Sequence, residues 1–84
     1  MMNAKLIGQN EVVQFVVEMD GVKYNARIYL NEKGRFIDEQ ISYNSSGEEL
    51  DYEGTEGDIR ERITDYLDEN WDTLVGVRLI GGTS

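Results

Sequence analysis

The fold is decided by residues 12–30, which read VVQFVVEMDGVKYNARIYL. Apolar side chains stand at every second position on either side of Asp20 and Gly21, which is the period of a half-buried β-strand. An Asp-Gly pair suits a two-residue type I′ turn, because both central residues of that turn need a positive φ. The stretch therefore predicts a β-hairpin. Its core-facing side chains are expected to be Val13, Phe15, Val17, Met19, Val22, Tyr24, Ala26, Ile28 and Leu30.

The residues that follow the hairpin predict a third antiparallel strand. Residues 31–34 form a short connection that ends in glycine, a residue that turns often need for its left-handed backbone. Residues 35–43 then read as a strand, and the meander is complete at this point. The side chains expected on its core face are Ile37, Ile41 and Tyr43.

Two segments of the first half are less regular. Residues 44–57 carry glycines, serines and acids, so we expect an exposed loop, with a short strand around residues 50–52 as the alternative. Near the start of the chain, Leu6 and Ile7 either begin a further strand or extend the first one.

The second half of the chain predicts a helix followed by a strand. Thr55 or Asp58 can cap the start of the helix. The apolar residues that then recur at helical spacing are Ile59, Ile63, Tyr66, Leu67, Trp71 and Leu74. The alternating residues expected to form a final strand are Val75, Val77 and Leu79, and residues 81–84 read as a frayed tail.

These elements predict one α+β domain over residues 1–84. It comprises a three-stranded antiparallel meander, one amphipathic helix packed on the sheet, and a final strand, in the order βββαβ. The apolar run at the start is too short for a signal peptide, and no stretch has the length of a membrane span. We therefore expect a cytoplasmic protein that does not bind membranes.

Composition excludes several classes of function. The chain contains no histidine and no cysteine, so catalysis by either residue, disulfides and the usual zinc sites are impossible. Its formal net charge is −9, which opposes direct binding to nucleic acid. Residues 48–72 hold eleven acids and two arginines, and the charges of the remaining residues cancel. The whole charge excess therefore lies in one segment.

The predicted helix gathers part of this charge on one face, which we call the acidic stripe. At about 100° per residue its members fall within an arc of roughly 80°, opposite the apolar face. Several are like-charge neighbours four residues apart, each costing about 0.2–0.5 kcal/mol. Folding alone does not favour this arrangement, so it is a candidate for function. The acidic stripe comprises Asp58, Glu61, Asp65, Asp68 and Asp72, and Glu69 lies at its margin.

The stripe predicts a partner with a basic surface, of the kind that handles nucleic acid. Its carboxylates approach the spacing of phosphates along one DNA strand, about one per 3.4 Å. The chain would then imitate phosphates and block a basic site on a larger protein, without binding nucleic acid itself. Acids of the preceding loop that could add a second row are Glu48, Glu49, Asp51, Glu53 and Glu56. The simpler alternative is an acidic face that serves only solubility.

A second alternative places the contact on the sheet instead of the helix. A sheet covered by one helix leaves its other face open, and aromatic and arginine side chains there are typical of interfaces. This face would serve an adaptor or a homodimer; the sequence does not fix the oligomeric state. The residues expected on it are Val12, Val16, Lys23, Arg27 and Tyr29.

We predict no catalytic residues, no metal site and no cofactor. The nearest acid pairs, Glu48 with Glu49 and Asp51 with Glu53, lie in a wet loop where pKa shifts are hard to obtain. An EF-hand loop that began at Asp51 would need glycine at its sixth position and glutamate at its twelfth, but the chain has Glu56 and Arg62 there. The anatomy of a small acidic meander with a helix resembles that of many phage-encoded inhibitors of host defence or host transcription. The resemblance implies an inhibitor of the anti-restriction or anti-CRISPR type.

Overall fold

The computed structural model describes residues 2–9 and 12–76, and it forms one antiparallel sheet with a helix packed on it. The strands lie side by side in chain order, each antiparallel to the next. The predicted α+β class is therefore confirmed. The elements are β1 (Met2–Gln9), β2 (Val12–Met19), β3 (Val22–Leu30), β4 (Phe36–Tyr43), α1 (Gly54–Glu69) and α2 (Trp71–Val75).

The core lies between the sheet and α1. Alternate residues of β2 and β3 face it, and α1 contributes Ile63 and Leu67, which are almost fully buried. Burial of each such aliphatic side chain contributes about 1.5–3 kcal/mol, so this contact attaches the helix to the sheet. The other buried apolar side chains are Val13, Phe15, Val17, Met19, Tyr24, Ala26, Ile28, Ile41 and Leu50.

The predicted hairpin forms as the sequence indicated. Asp20 and Gly21 have φ values of 53° and 83°, which are the positive angles that a type I′ turn requires. Gly34 likewise has φ 78° in the next connection. The two ends of β3 are less buried than its middle: Val22 is 43% exposed beside the turn, and Leu30 is half-buried.

The fourth strand of the described sheet lies at the start of the chain, where the sequence left a further strand open. The sheet gains β1, which pairs with β2 from Met2↔Met19 to Gln9↔Val13, and this settles the open question about Leu6 and Ile7. Half-buried and exposed residues alternate throughout β1, but the hydrophobic pattern does not follow this alternation, because apolar Ile7 is exposed and Gly8 occupies a half-buried position. The pairing with β2 shifts register between Leu6 and Gly8. At the other end of the chain Val75 ends α2 instead of beginning a strand. Val77, Leu79 and the predicted tail lie outside the described residues.

The core face of β4 also differs from the prediction at one end. Ile41 is fully buried and Tyr43 half-buried as expected, but Ile37 is 60% exposed. The pairing register shifts here, because Tyr29 pairs with Asp38 and the next residue of β3 pairs with Phe36. Ile37 is the residue that this irregularity passes over.

The helical segment has different ends from those predicted. Its first residue is Gly54, and neither Thr55 nor Asp58 caps it; Glu53 precedes the helix and makes no capping hydrogen bond. At the far end α1 stops at Glu69. The Asn70 side-chain amide and its backbone N–H both donate to the carbonyl oxygen of Tyr66, at 2.8 and 3.0 Å. This local bonding separates α1 from α2.

The segment between β4 and α1 is only partly the exposed loop that was predicted. Leu50 is 1% exposed, and its N–H donates to the carbonyl oxygen of Ile41 at 2.9 Å. Ser42 and Glu49 form an isolated β-bridge, which lies one residue before the short strand considered as an alternative. This segment covers the outer edge of the C-terminal half of β4.

We predict that Gly57→Ala destabilises the protein although it raises helix propensity. An added Cβ would lie 2.6 Å from the backbone oxygen of Tyr52, so the chain before α1 must move. Overpacking of this kind costs about 1–3 kcal/mol, against a gain of about 0.5–1 kcal/mol from replacing a helical glycine. Urea unfolding of this variant and of Thr55→Ala, an exposed site in the same turn, measures the difference. A G57A variant as stable as T55A would contradict the prediction.

Candidate partner-binding surfaces

The acidic stripe is divided between two helices. Its first four members lie on α1 and are all exposed, as is Glu69 at its margin. Asp72 is exposed too, but it belongs to α2 and lies beyond the break at Asn70. The continuous row on α1 therefore runs from Asp58 to Asp68, which is about 15 Å of helical rise.

The carboxylates of this row have no cationic partner among residues 2–9 and 12–76. Arg62 stands four residues after Asp58, and Arg60 stands four residues after Glu56, which is the spacing of favourable ion pairs on a helix. Neither ion pair forms in the described structure. The row therefore presents its charge to solvent with Arg62 as an exposed but unengaged neighbour.

Arg60 is instead withdrawn into the fold, which sequence analysis missed. It is 4% exposed, and one guanidinium nitrogen donates to a carboxylate oxygen of Glu39 at 2.8 Å. The centre of the guanidinium lies 3.9 Å from the ring centroid of Tyr52. Such stacking on an aromatic face is worth about 0.5–2 kcal/mol. Arg60 therefore fastens α1 to β4 and to the segment before the helix, and it does not neutralise the stripe.

The acids of the loop before α1 differ in their surroundings. Glu48, Glu49, Asp51 and Glu53 are exposed, and Glu49 also lines a concavity on the open face of the sheet. Glu56 is half-buried and engaged within the molecule. Its carboxylate accepts hydrogen bonds from the Tyr43 hydroxyl at 2.7 Å and from the Asp51 N–H at 2.8 Å.

These hydrogen bonds shift the pKa values of Glu56 and Tyr43 in opposite directions. The Asp51 N–H, and after it the Tyr43 hydroxyl, stabilise the ionised carboxylate and hold the pKa of Glu56 below its ordinary value. The same bond to Glu56, together with desolvation, raises the pKa of Tyr43 to about 12. Glu56 therefore has a structural role in fixing the segment before α1.

The open face of the sheet brings together the residues of the alternative site. Val12 pairs with Tyr29, and the neighbouring pairs place Val16 and Arg27 on the same face, with Lys23 at its end. A concavity of about 440 Å³ lies on this face, lined by Arg27, Gln14, Gln40 and Ser42 and bordered by Ile7 and Glu49. Its lining is mainly polar, with arginine and glutamate as its charged groups.

A further groove, which sequence reasoning did not find, lies between α1 and β4. It consists of two depressions of about 230 Å³ each, which share Thr64 and Asp65. We call it the α1–β4 groove. One end contains the Arg60–Glu39 pair, and the other is apolar. The apolar end is lined by Ile28, Phe36, Leu67 and Trp71, with Asp68 at its border.

No group of three or more acidic side chains in the described part of the chain is arranged to hold a metal ion. No helix among those residues is long and apolar enough to cross a membrane.

We predict that the contact between Glu56 and Tyr43 stabilises the protein most between about pH 4.5 and pH 10, and less at lower and higher pH. Glu56 has a lowered pKa, so its contribution is present above about pH 4.5 and is lost as the pH falls through its folded value. Tyr43 has a raised pKa, so its contribution is complete below about pH 10 and is lost between pH 10 and about 12.

Urea unfolding of the wild type, Glu56→Gln and Tyr43→Phe across this range measures the effect. Near neutral pH the free energy of unfolding of the wild type should exceed that of both variants. The difference from Glu56→Gln should shrink at acid pH, and the difference from Tyr43→Phe should shrink at alkaline pH. Tyr29→Phe is the matched control, because its hydroxyl makes only a long 3.4 Å bond to Gln40. Differences that stay constant with pH would contradict the assignment.

The comparisons with known proteins give no relative for this chain. No protein-family model matches it, and no match was found among curated proteins or among solved structures. A function therefore has to be inferred from the chain's own side chains.

Proposed function

We propose that this chain is a non-enzymatic inhibitor of the anti-restriction or anti-CRISPR type. It imitates a row of nucleic-acid phosphates and blocks a basic nucleic-acid-binding site on a larger protein. The observation that carries the proposal is the row from Asp58 to Asp68, whose carboxylates are exposed and have no ion-pair partner among the described residues.

The spacing of the row supports imitation of a phosphate backbone. Four carboxylates lie along about 15 Å of α1, and one DNA strand carries about four or five phosphates over the same length. A helix is a rigid support, so the charges stay in register when a partner approaches. Lysine and arginine side chains that contact phosphates would find acceptors at similar intervals.

The row has no lysine or arginine partner among the described residues, and this supports the same proposal. A merely solubilising helix face is usually built with glutamate and lysine four residues apart, because such pairs stabilise the helix. Here Glu61 with Asp65 and Asp65 with Glu69 are like-charge pairs at that spacing. A cationic partner would reduce this repulsion, so the same charges that destabilise the free helix would make binding more favourable. The field of the segment would also accelerate encounter at low salt.

We expect reversal of the row to abolish binding to a basic partner. The triple variant Glu61→Lys, Asp65→Lys and Asp68→Lys changes only exposed side chains, so the fold should persist. The immobilised wild type is incubated with host lysate at low salt, and the proteins that it retains are identified by mass spectrometry. Binding of DNA to each retained protein is then followed by gel shift, with this chain as the competitor. The wild type should displace DNA, and the triple variant should lose this competition by at least about a hundredfold.

The matched control carries the same change of net charge elsewhere. It combines Glu18→Lys, Glu32→Lys and Asp38→Lys, none of which lies on α1. The control should compete almost as well as the wild type. Affinity that does not fall as salt rises, or that survives reversal of the row, would contradict the proposal.

The alternative function is an adaptor or homodimer that uses the open sheet face. The observation in its favour is the concavity of about 440 Å³, whose lining includes Arg27 and the 55% exposed Ile7. Arginine beside exposed apolar surface is typical of interfaces.

Under this alternative, Val16→Ser with Tyr29→Ser should weaken self-association or partner binding. Light scattering measures the molar mass, and the gel-shift competition above measures partner binding. The triple variant of α1 serves as the comparison. Unchanged mass and binding in the sheet variant, together with loss of binding in the α1 variant, would eliminate the alternative.

A further inference from the structure

The α1–β4 groove combines charge and apolar surface in a way that the acidic stripe alone does not. Glu61, Asp65 and Asp68 are members of the stripe that also line the groove, so its helical wall is acidic. Arg60, the cation that lines it, is already bonded to Glu39 and stacked on Tyr52. A ligand lying in the groove would therefore meet a negative wall that the described residues leave uncompensated.

The far end of the groove is apolar and incompletely covered. Phe36 lies opposite Leu30 on the sheet and lines this depression, yet its side chain is 52% exposed. Trp71 packs edge-on against Phe15, with ring centroids 5.7 Å apart, and lines the same depression. Exposed apolar surface rimmed by charge is typical of a protein-interaction site.

We propose that the α1–β4 groove binds an extended, lysine- or arginine-rich segment of the partner, one aliphatic side chain of which enters the apolar end. The proposal rests on the proposed function, since the segment belongs to the basic surface that the stripe faces. The basic residues contact Glu61, Asp65 and Asp68, and the aliphatic side chain lies between Phe36 and Trp71.

The length and the edge of the groove define the form of the segment. Gly57 to Asp68 spans about 17 Å along α1, which an extended segment of about five residues matches. At this point of β4 the Glu39 N–H already donates to the Asp38 carboxylate at 2.8 Å, so it is not available to pair with a further strand. The segment is therefore held through its side chains.

The single tryptophan of the chain, Trp71, reports directly on the apolar end. The probes are two short lysine-rich peptides that differ only at a central position, leucine in one and serine in its twin. Binding is followed by Trp71 fluorescence and by calorimetry at about 0.1 M salt, where charges still interact over about 10 Å. The leucine peptide should bind at least about tenfold more tightly, as burial of one aliphatic side chain provides.

Two variants locate the effect. Phe36→Ser should remove most of the preference for leucine, whereas Val22→Ser should keep it, because Val22 is 43% exposed but lies beside the Asp20–Gly21 turn and does not line the groove. Equal affinities of the two peptides for the wild type, or equal losses in the two variants, would overturn the inference. The comparison of peptides on the wild type needs no variant, so it stands even if Phe36→Ser unfolds.

The remaining outcomes separate this inference from the proposed function. If both peptides bind equally and the triple variant of α1 abolishes their binding, the groove is rejected and the stripe is retained. If neither peptide binds, both are rejected. The double variant Leu79→Ser with Ile80→Ser, measured without peptide, tests the chain's own C-terminus as the occupant. A change of Trp71 emission in that variant, or a dimer that Phe36→Ser dissociates, would assign the groove to the chain itself and overturn the inference.

Discussion

The one-sided burial of α1 is the constraint on which the rest of the structure depends. Ile63 and Leu67 are almost fully buried against the sheet, and each contributes about 1.5–3 kcal/mol. Because an α-helix fixes the direction of every side chain relative to its neighbours, burying this face turns the opposite face outward. The exposure of Asp58, Glu61 and Asp65 follows from the packing of two aliphatic residues.

Relative magnitudes explain why the helix tolerates its own charge. The like-charge pairs Glu61 with Asp65 and Asp65 with Glu69 each cost about 0.2–0.5 kcal/mol, which is less than the burial of one core leucine provides. An isolated segment of this length and composition would be a marginal helix in water. The sheet, and not the intrinsic preference of the segment, therefore holds the acids in line. The acidic stripe is consequently a property of the folded domain and not of the isolated helix.

The sequence predicted the features that depend on local signals. The Asp20–Gly21 turn and the alternation of β2 and β3 are encoded in consecutive residues, and they were identified correctly. Features that depend on distant partners were missed. The register shift that exposes Ile37 is visible only once β3 and β4 are paired, and the break at Asn70 depends on a hydrogen bond to Tyr66.

The candidate site shows the same division between local and distant signals. Helical spacing identified the row on α1, because that spacing is a local property. The same spacing would pair Arg60 with Glu56, but Glu39 on β4, which is remote in sequence, binds the guanidinium instead. The α1–β4 groove could not be predicted either, since its walls come from Phe36, from α1 and from Trp71 beyond the helix break.

The withdrawal of Arg60 links the charge of the surface to the shape of the groove. Burying this cation beside Glu39 leaves the outer face of α1 more negative, and it also places a polar floor at one end of the groove. The apolar end beside Phe36 then differs in character from the rest of the surface. Long-range attraction acts on any basic partner, whereas an apolar depression of fixed size acts only at contact. Under the proposed function, charge therefore governs the rate of encounter with a basic partner, and the groove is the feature that selects among such partners.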